Sequence, residues 1–236
     1  MASRRSYGSY NDGCAAAHAL DLIGDRWTMI VVRELLLGPK RFADLQRDVL
    51  GIGPGILTRR LQELTTHDVA VRRRLPGPGG ADVYELTAWG RQLEVVNSAL
   101  SAWAVQSPSM PFEADMSPDT LVLAMRTHAR PVTDQPGPRT VSLTLSDSRQ
   151  EAPAPVHYQA VMTADATVIH RVAEPGRADA GVAASTRDWK ACVIGGTPLT
   201  QLPGISVTGD GAIVELLVAA TSLRSADSSP PGRHRG

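Results

Sequence analysis

The chain has 236 residues, 42% hydrophobic and 20% charged, which predicts one or two globular domains and excludes bulk disorder. The formal net charge is +0, so a generally basic nucleic-acid coat is excluded, although a local basic patch is not. With only Cys14 and Cys192, far apart, it is neither a disulfide scaffold nor a zinc finger; no apolar run nears the ~18 residues of a membrane span and residues 1–11 lack the apolar region of a signal peptide, so the expected location is cytoplasmic.

In chain order, Asn11 and Asp12 predict the cap of a first helix over 13–23. Gly24 suits its end, and Asp25 the cap of a second helix over 26–37. That second helix is apolar nearly all round (Trp27, Met29, Ile30, Val31, Val32, Leu35, Leu36, Leu37) and belongs in the middle of a domain. After Gly38-Pro39 a third helix begins at Arg41 or Phe42, with Phe42, Leu45 and Val49 on one stripe. A turn containing Gly51 and Gly53 leads to a fourth helix over 54–66. Its inner stripe is Leu57, Leu61, Leu64, and its outer face carries Gly55, Thr58, Arg59 and Gln62. Two short helices around a glycine turn read as helix-turn-helix.

Strands over 69–75 and 83–86 flank the Pro- and Gly-rich stretch 76–81 and predict a hairpin, the wing of a winged helix. Thr87 caps a long helix running to 107, with Leu93, Val96, Leu100 and Trp103 in one row and Val95, Ala99 and Ala102 beside it. A helix with two apolar flanks at a domain edge points to a partner subunit. Pro108 and Pro111 then stop the helix. The expected division is a first domain at 11–107, a linker at 108–116, a second domain at 117–223 and a disordered tail at 224–236. Charge follows the division: residues 1–106 carry +2 and residues 107–236 carry −2, with +4 concentrated in 40–74.

The stretch from Cys14 through His18, Leu20, Asp21, Ile23, Gly24, Asp25, Arg26 and Trp27 to Thr28 resembles the start of the HxlR-type winged-helix transcriptional regulators. Arg33-Glu34-Leu35-Leu36, Gly38-Pro39-Lys40-Arg41-Phe42 with Leu45, and Gly51-Ile52 continue the resemblance. So do Leu57-Thr58-Arg59-Arg60-Leu61 with Leu64, and Tyr84-Glu85-Leu86-Thr87 with Gly90 and Leu93. It covers about 13–105. It implies a homodimer on a pseudo-palindromic operator in double-stranded DNA, with the first and last helices of the domain as the dimer contact. Departures are Gly53 where the family has Ser, Gly55 where a long residue is common, and His67-Asp68 where an acidic residue and Gly are usual.

On this reading the fourth helix enters the major groove, where each base pair shows a distinct donor and acceptor pattern. Arg59 is the leading base reader, because a guanidinium can fork onto guanine O6 and N7. Thr58 suits a thymine methyl or a phosphate, and Gln62 an adenine edge. Arg60 is either a DNA contact or a residue closing the domain edge beside Leu61. Arg72, Arg73 and Arg74 at the base of the wing suit phosphates or the minor groove. Strand alternation forbids all three from facing one way, and two are expected to face DNA. Lys40 and Arg41 read as phosphate clamps. Cys14 is read either as a redox sensor, its thiol acidified at a helix N-terminus, or as a small packed side chain. Some members of the family use a Cys here for redox sensing.

In the second domain a helix is expected over 119–128 and strands over 140–145, 156–162, 167–172 and 181–184. A helix capped by Ser185, a short helix over 197–202, a strand over 204–210 and a last helix over 211–223 complete it. Asp188-Trp189, Gly195-Gly196 and Ile205-Ser206-Val207-Thr208-Gly209-Asp210 resemble the sterol-carrier (SCP2-like) fold. The whole is an α+β protein: a winged helix-turn-helix followed by a sterol-carrier-like domain. The second resemblance implies an apolar cavity for a hydrophobic small-molecule effector; Met125, Val161, Trp189 and Leu216 are apolar candidates, and no ligand residue is assigned.

No nucleophile motif, phosphate loop or metal-ligand spacing occurs, so neither an enzyme nor a cofactor nor a metal is expected. The sequence reads as a DNA-binding transcriptional regulator. Its alternatives are a redox-responsive regulator acting through Cys14, or a lipid carrier or accessory protein whose winged helix mediates protein contacts.

Overall fold

The computed structural model describes residues 9–76, 80–133 and 135–223. The expected disordered tail at 224–236, the loop tip at 77–79 and residues 1–8 lie outside them. Two compact units divide between Leu100 and Ser101.

The first unit opens with α1, Ala15–Ile23. It starts two residues later than expected, because the Asp12 side chain accepts the Cys14 N–H in a turn ahead of the helix (2.9 Å) and leaves Cys14 as the N-cap. Helix α2 is Thr28–Leu35, shorter than the apolar run. Asp25 does not cap it with its side chain; that carboxylate pairs with Arg60. Helix α3 is Phe42–Asp48 and α4 is Pro54–Thr66, with Pro54 in the first turn where its missing N–H costs nothing. Gly51 between them takes φ +84°, a conformation that favours glycine. Val31, Val32, Leu35, Leu45, Leu57, Leu61 and Leu64 interlock as the core. Each such leucine contributes roughly 1.5–3 kcal/mol by leaving water.

Strands β1, Ala70–Arg74, and β2, Asp82–Leu86, form the antiparallel wing, with Arg72 opposite Tyr84. Asp68 enters it at φ 56°, which explains why glycine suits this place and why Asp is tolerated. The long helix expected from Thr87 is broken in two: α5, Ala88–Arg91, and α6, Leu93–Ala104. Thr87 caps α5 by accepting the Gly90 N–H at 2.9 Å. A Cβ on Gly90 would lie 2.0 Å from the Val69 carbonyl oxygen, so only glycine lets α5 rest on the entry to the wing. At Gln92 the N–H bonds to Trp89 and Gly90 carbonyls, a tightened turn that ends α5.

The second unit contains a five-stranded sheet in the order β5-β4-β3-β6-β7. Its strands are β3, Arg139–Ser146; β4, Val156–Met162; β5, Thr167–Val172; β6, Ala180–Ser185; and β7, Ser206–Gly209. Only β3 and β6 run parallel. Alternation puts Val141, Leu143, Leu145, Tyr158, Ala160, Met162, Ile169 and Val182 on one buried face. Helices α7, Pro118–Thr127, α8, Thr186–Val193, and α9, Gly211–Thr221, cover it. Ser117, Ser185 and Asp210 cap them, each accepting a backbone N–H.

The stretch 112–115, expected as linker, is bound into this unit. Lys190 Nζ donates to the Phe112 carbonyl and, at 2.7 Å, to that of Ala114; Arg187 pairs with Asp115 at 2.7 Å. These bonds explain why 112–115 belongs to the second unit. Among the described residues, no helix is long and apolar enough to cross a membrane.

Candidate nucleic-acid interface

Helix α4 sorts its side chains by the helical period. Leu57, Leu61 and Leu64 are buried, which turns Gly55, Ile56, Thr58, Arg59 and Gln62 outward. Gly53 precedes the helix and offers no side-chain cap. Thr58 Oγ1 donates to the Pro54 carbonyl at 2.9 Å, which leaves its methyl as the outward group. The Arg59 side chain is 71% exposed and its Nε donates to Glu63 Oε1 at 2.9 Å.

Arg60 differs from its neighbour. Its side chain is 8% exposed, and its guanidinium lies between Asp25 and Glu63, 2.8 Å from the latter's Oε2. This favours the domain-edge reading of Arg60 over the DNA reading, because a buried, doubly paired guanidinium has no face left for a groove.

Lys40 is likewise corrected. Its amine is buried, 2.8 Å from both Glu34 Oε2 and Asp48 Oδ2, and its backbone bridges to Tyr84. It ties α2, α3 and the wing together and does not clamp a phosphate. Burial alone would raise the Glu34 carboxyl, but Lys40 and Arg33 outweigh that and hold it below the usual range. Arg41, at the N-cap of α3, is exposed.

All three wing arginines are exposed, on two faces. Arg72 and Arg74 share one: Arg72 donates to Asp82 at 2.7 Å, and Arg74 to the Gly80 carbonyl at 2.9 Å. Arg73, on the other, pairs with Glu85. Exposed pairs of this kind contribute only ~0–1 kcal/mol, so a phosphate can displace or share them. Those of the expected DNA-binding cations that face outward, Arg41, Arg59, Arg72, Arg73 and Arg74, thus come from three separate elements. Glu63, Asp82 and Glu85 were missed as their partners; the four-residue spacing of Arg59 and Glu63 was a readable signal. The link from Asp25 to Arg60 had none.

Cys14 is exposed at the α1 N-terminus, where the N–H groups of Ala17 and Ala16 lower its thiol pKa. Cys192 is buried, and burial pushes its thiol up to about 11. Leu20, Val95, Val96, Leu100 and Trp103 on α1 and α6 are all exposed, Val95 and Trp103 by about three quarters (75% and 76%).

In the second unit the apolar candidates do not converge. Met125 and Trp189 are core, with Trp189 Nε1 donating to Met125 Sδ at 3.3 Å, and Val161 is half-buried on β4. Leu216 borders a concavity of about 440 Å³ with Arg139, Asp179 and Asp210. A more apolar cleft of about 330 Å³ lies between the end of α8, residues 196–200 and α9, lined by Val193, Ile194, Pro198, Leu199 and Val218.

Comparison with known proteins fits the first unit. The family model described as HxlR-like helix-turn-helix matches residues 22–110. The HTH-type transcriptional regulator YodB of Bacillus subtilis is 34% identical over 88 residues, which are 37% of this chain and 79% of that protein. The solved structure of reduced YodB from B. subtilis is 32% identical, covers 41% of this chain and 95% of its own, and has a TM-score of 0.38. The structure of the redox regulator HypR in its oxidized form is 28% identical, covers 41% of this chain and 100% of its own, and has a TM-score of 0.38. With the matched motifs lying on α2, the helix-turn-helix and the wing, the chain belongs to the HxlR-like helix-turn-helix family of transcriptional regulators.

Proposed function

We propose that the protein acts as a homodimer on a pseudo-palindromic operator, with α4 in the major groove. The outward row of Thr58, Arg59 and Gln62 on a helix whose other face is core carries this reading. Arg59 reads guanine, Gln62 an adenine edge and Thr58 a methyl or phosphate. Arg41 and the wing arginines position the protein on phosphates. The exposed apolar rows of α1 and α6 support the second copy as their cover. The test is binding to genomic fragments flanking the protein's own gene, by wild type and Arg59→Ala. Selective binding lost in the variant is expected. If each subunit neutralises ~3–4 phosphates, the slope of log K against log[salt] is about −5 to −7 for the dimer. A flat salt profile would favour the carrier or accessory reading instead.

The second unit, read as sterol-carrier-like, takes an apolar effector, and the α8–α9 cleft is the place of fitting size, as small-molecule sites start near ~300 Å³. An effector acts only if it binds the DNA-competent and incompetent dimers with different affinity. A lipophilic probe that binds this unit and leaves operator affinity unchanged at saturation would refute it. A second reading rests on the exposed, acidified Cys14: oxidation there releases DNA. Wild type and Cys14→Ser responding alike to peroxide, diamide and quinone would exclude it.

A further inference from the structure

We infer that Glu63 is a positioning residue that aims Arg59 at guanine and so sets operator selectivity; this rests on Arg59 as the base reader. The Glu63 carboxylate holds two arginines at once. Its Oε1 accepts from Arg59 Nε at 2.9 Å and its Oε2 lies 2.8 Å from Arg60 Nη1. Arg60 in turn is buried and paired with Asp25 at the α1–α2 junction.

The distinction matters because an exposed i,i+4 ion pair contributes only ~0.3–0.5 kcal/mol. Such a pair cannot by itself hold a long side chain in one geometry. Here Glu63 is anchored from behind. Arg60 is fixed by burial and by Asp25, so the entropy of ordering the carboxylate is met by the folded domain before DNA arrives. With the Arg59 Nε engaged by Glu63, the end of its guanidinium, the edge formed by the two terminal nitrogens, is what remains for a base. Those terminal nitrogens are the pair that can meet O6 and N7 of guanine together.

Selection from a pool of duplex DNA with a randomised window, using the full chain, tests this. Wild type is expected to enrich a site with one strongly preferred guanine per half-site, by about 5- to 150-fold over other bases. Arg59→Ala loses that preference. Glu63→Gln keeps binding but loses at least about fivefold of the preference at that position alone, and gains affinity for unselected DNA as a carboxylate is removed near phosphate. Replacing the selected guanine by 7-deazaguanine, which lacks N7, weakens wild type more than it weakens Glu63→Gln. Asp25→Asn moves selectivity the same way by less, and Arg59→Lys with Glu63→Gln loses no more than Arg59→Lys alone. Thermal melts of each variant separate misfolding from lost aim.

Undiminished guanine preference in a folded Glu63→Gln, with Arg59→Ala defective, overturns the role of Glu63 and leaves Arg59 as reader. An Arg59→Ala protein that enriches the wild-type site overturns the reader itself, and this inference with it.

Discussion

Helices α2 and α6 are both rich in apolar residues, yet they have opposite fates. In α2, Val31 and Val32 are fully buried, with Leu35 almost so. In α6 no residue is buried, and Val95 and Trp103 lie in the open. The difference teaches that apolar content reports a need for cover without saying where the cover comes from. Helix α2 is covered by α3, α4 and the wing of its own unit. The rows on α6 and α1 are what a second copy would bury.

Substitutions that treat the two helices alike should separate them. The largest effect is expected from Val31→Asp, which puts an unpaired charge into a fully closed site and leaves no cooperative unfolding of the first unit; Leu57→Ala costs about 2–5 kcal/mol in denaturant titration. Val95→Asp should leave the unfolding free energy of a dilute sample nearly unchanged, within ~0.5 kcal/mol, while light scattering shows the mass falling to that of a single chain. A wild type that already scatters as a single chain would overturn this contrast, because α6 would then have no partner copy.

Next comes the ionic knot under the wing. Lys40→Met removes the amine between Glu34 and Asp48, leaving each carboxylate its arginine partner, Arg33 or Arg47, and should cost up to ~3–5 kcal/mol. The same knot sets an acid limit. The folded-state pKa of Glu34 is below its ordinary value, so its contribution is complete above the ordinary carboxylate range and is lost as pH falls through that depressed value. In wild type, acid titration of chemical stability should therefore show a loss on the low-pH side that Glu34→Gln no longer shows.

The smallest effect concerns the thiols. Maleimide should label Cys14 in the native protein at neutral pH, and Cys192 only after denaturation, since one thiol is exposed and the other buried with its pKa near 11. Protection of Cys14 at high protein concentration, relieved on dilution, would sharpen the comparison by placing the α1 N-terminus under a partner.

Much of the candidate interface was legible in the sequence because it is local. The period of Leu57, Leu61 and Leu64 dictates that Arg59 and Gln62 face outward, and Gly51 marks the turn before them. Strand alternation likewise separated Arg73 from Arg72 and Arg74. The unreadable parts were long-range. Lys40 reads as a surface clamp until Glu34 and Asp48 are seen on either side of it. The break at Gln92 was hidden because the apolar row from Leu93 onward continues the helical period that starts after Thr87. The linker at 108–116 looked free because nothing in its own residues announces Lys190 and Arg187, more than seventy positions away.

Local pattern sufficed for the family and for the outward face of α4, and for the order of helices and strands apart from the break at Gln92, since these depend on periodicity, caps and turn residues within a few positions. Which charges stay at the surface and which become struts emerged only with the fold. A charge stays open to a ligand when water reaches it and becomes a strut when burial forces it to find a partner, and burial is set by residues the chain brings together from far apart.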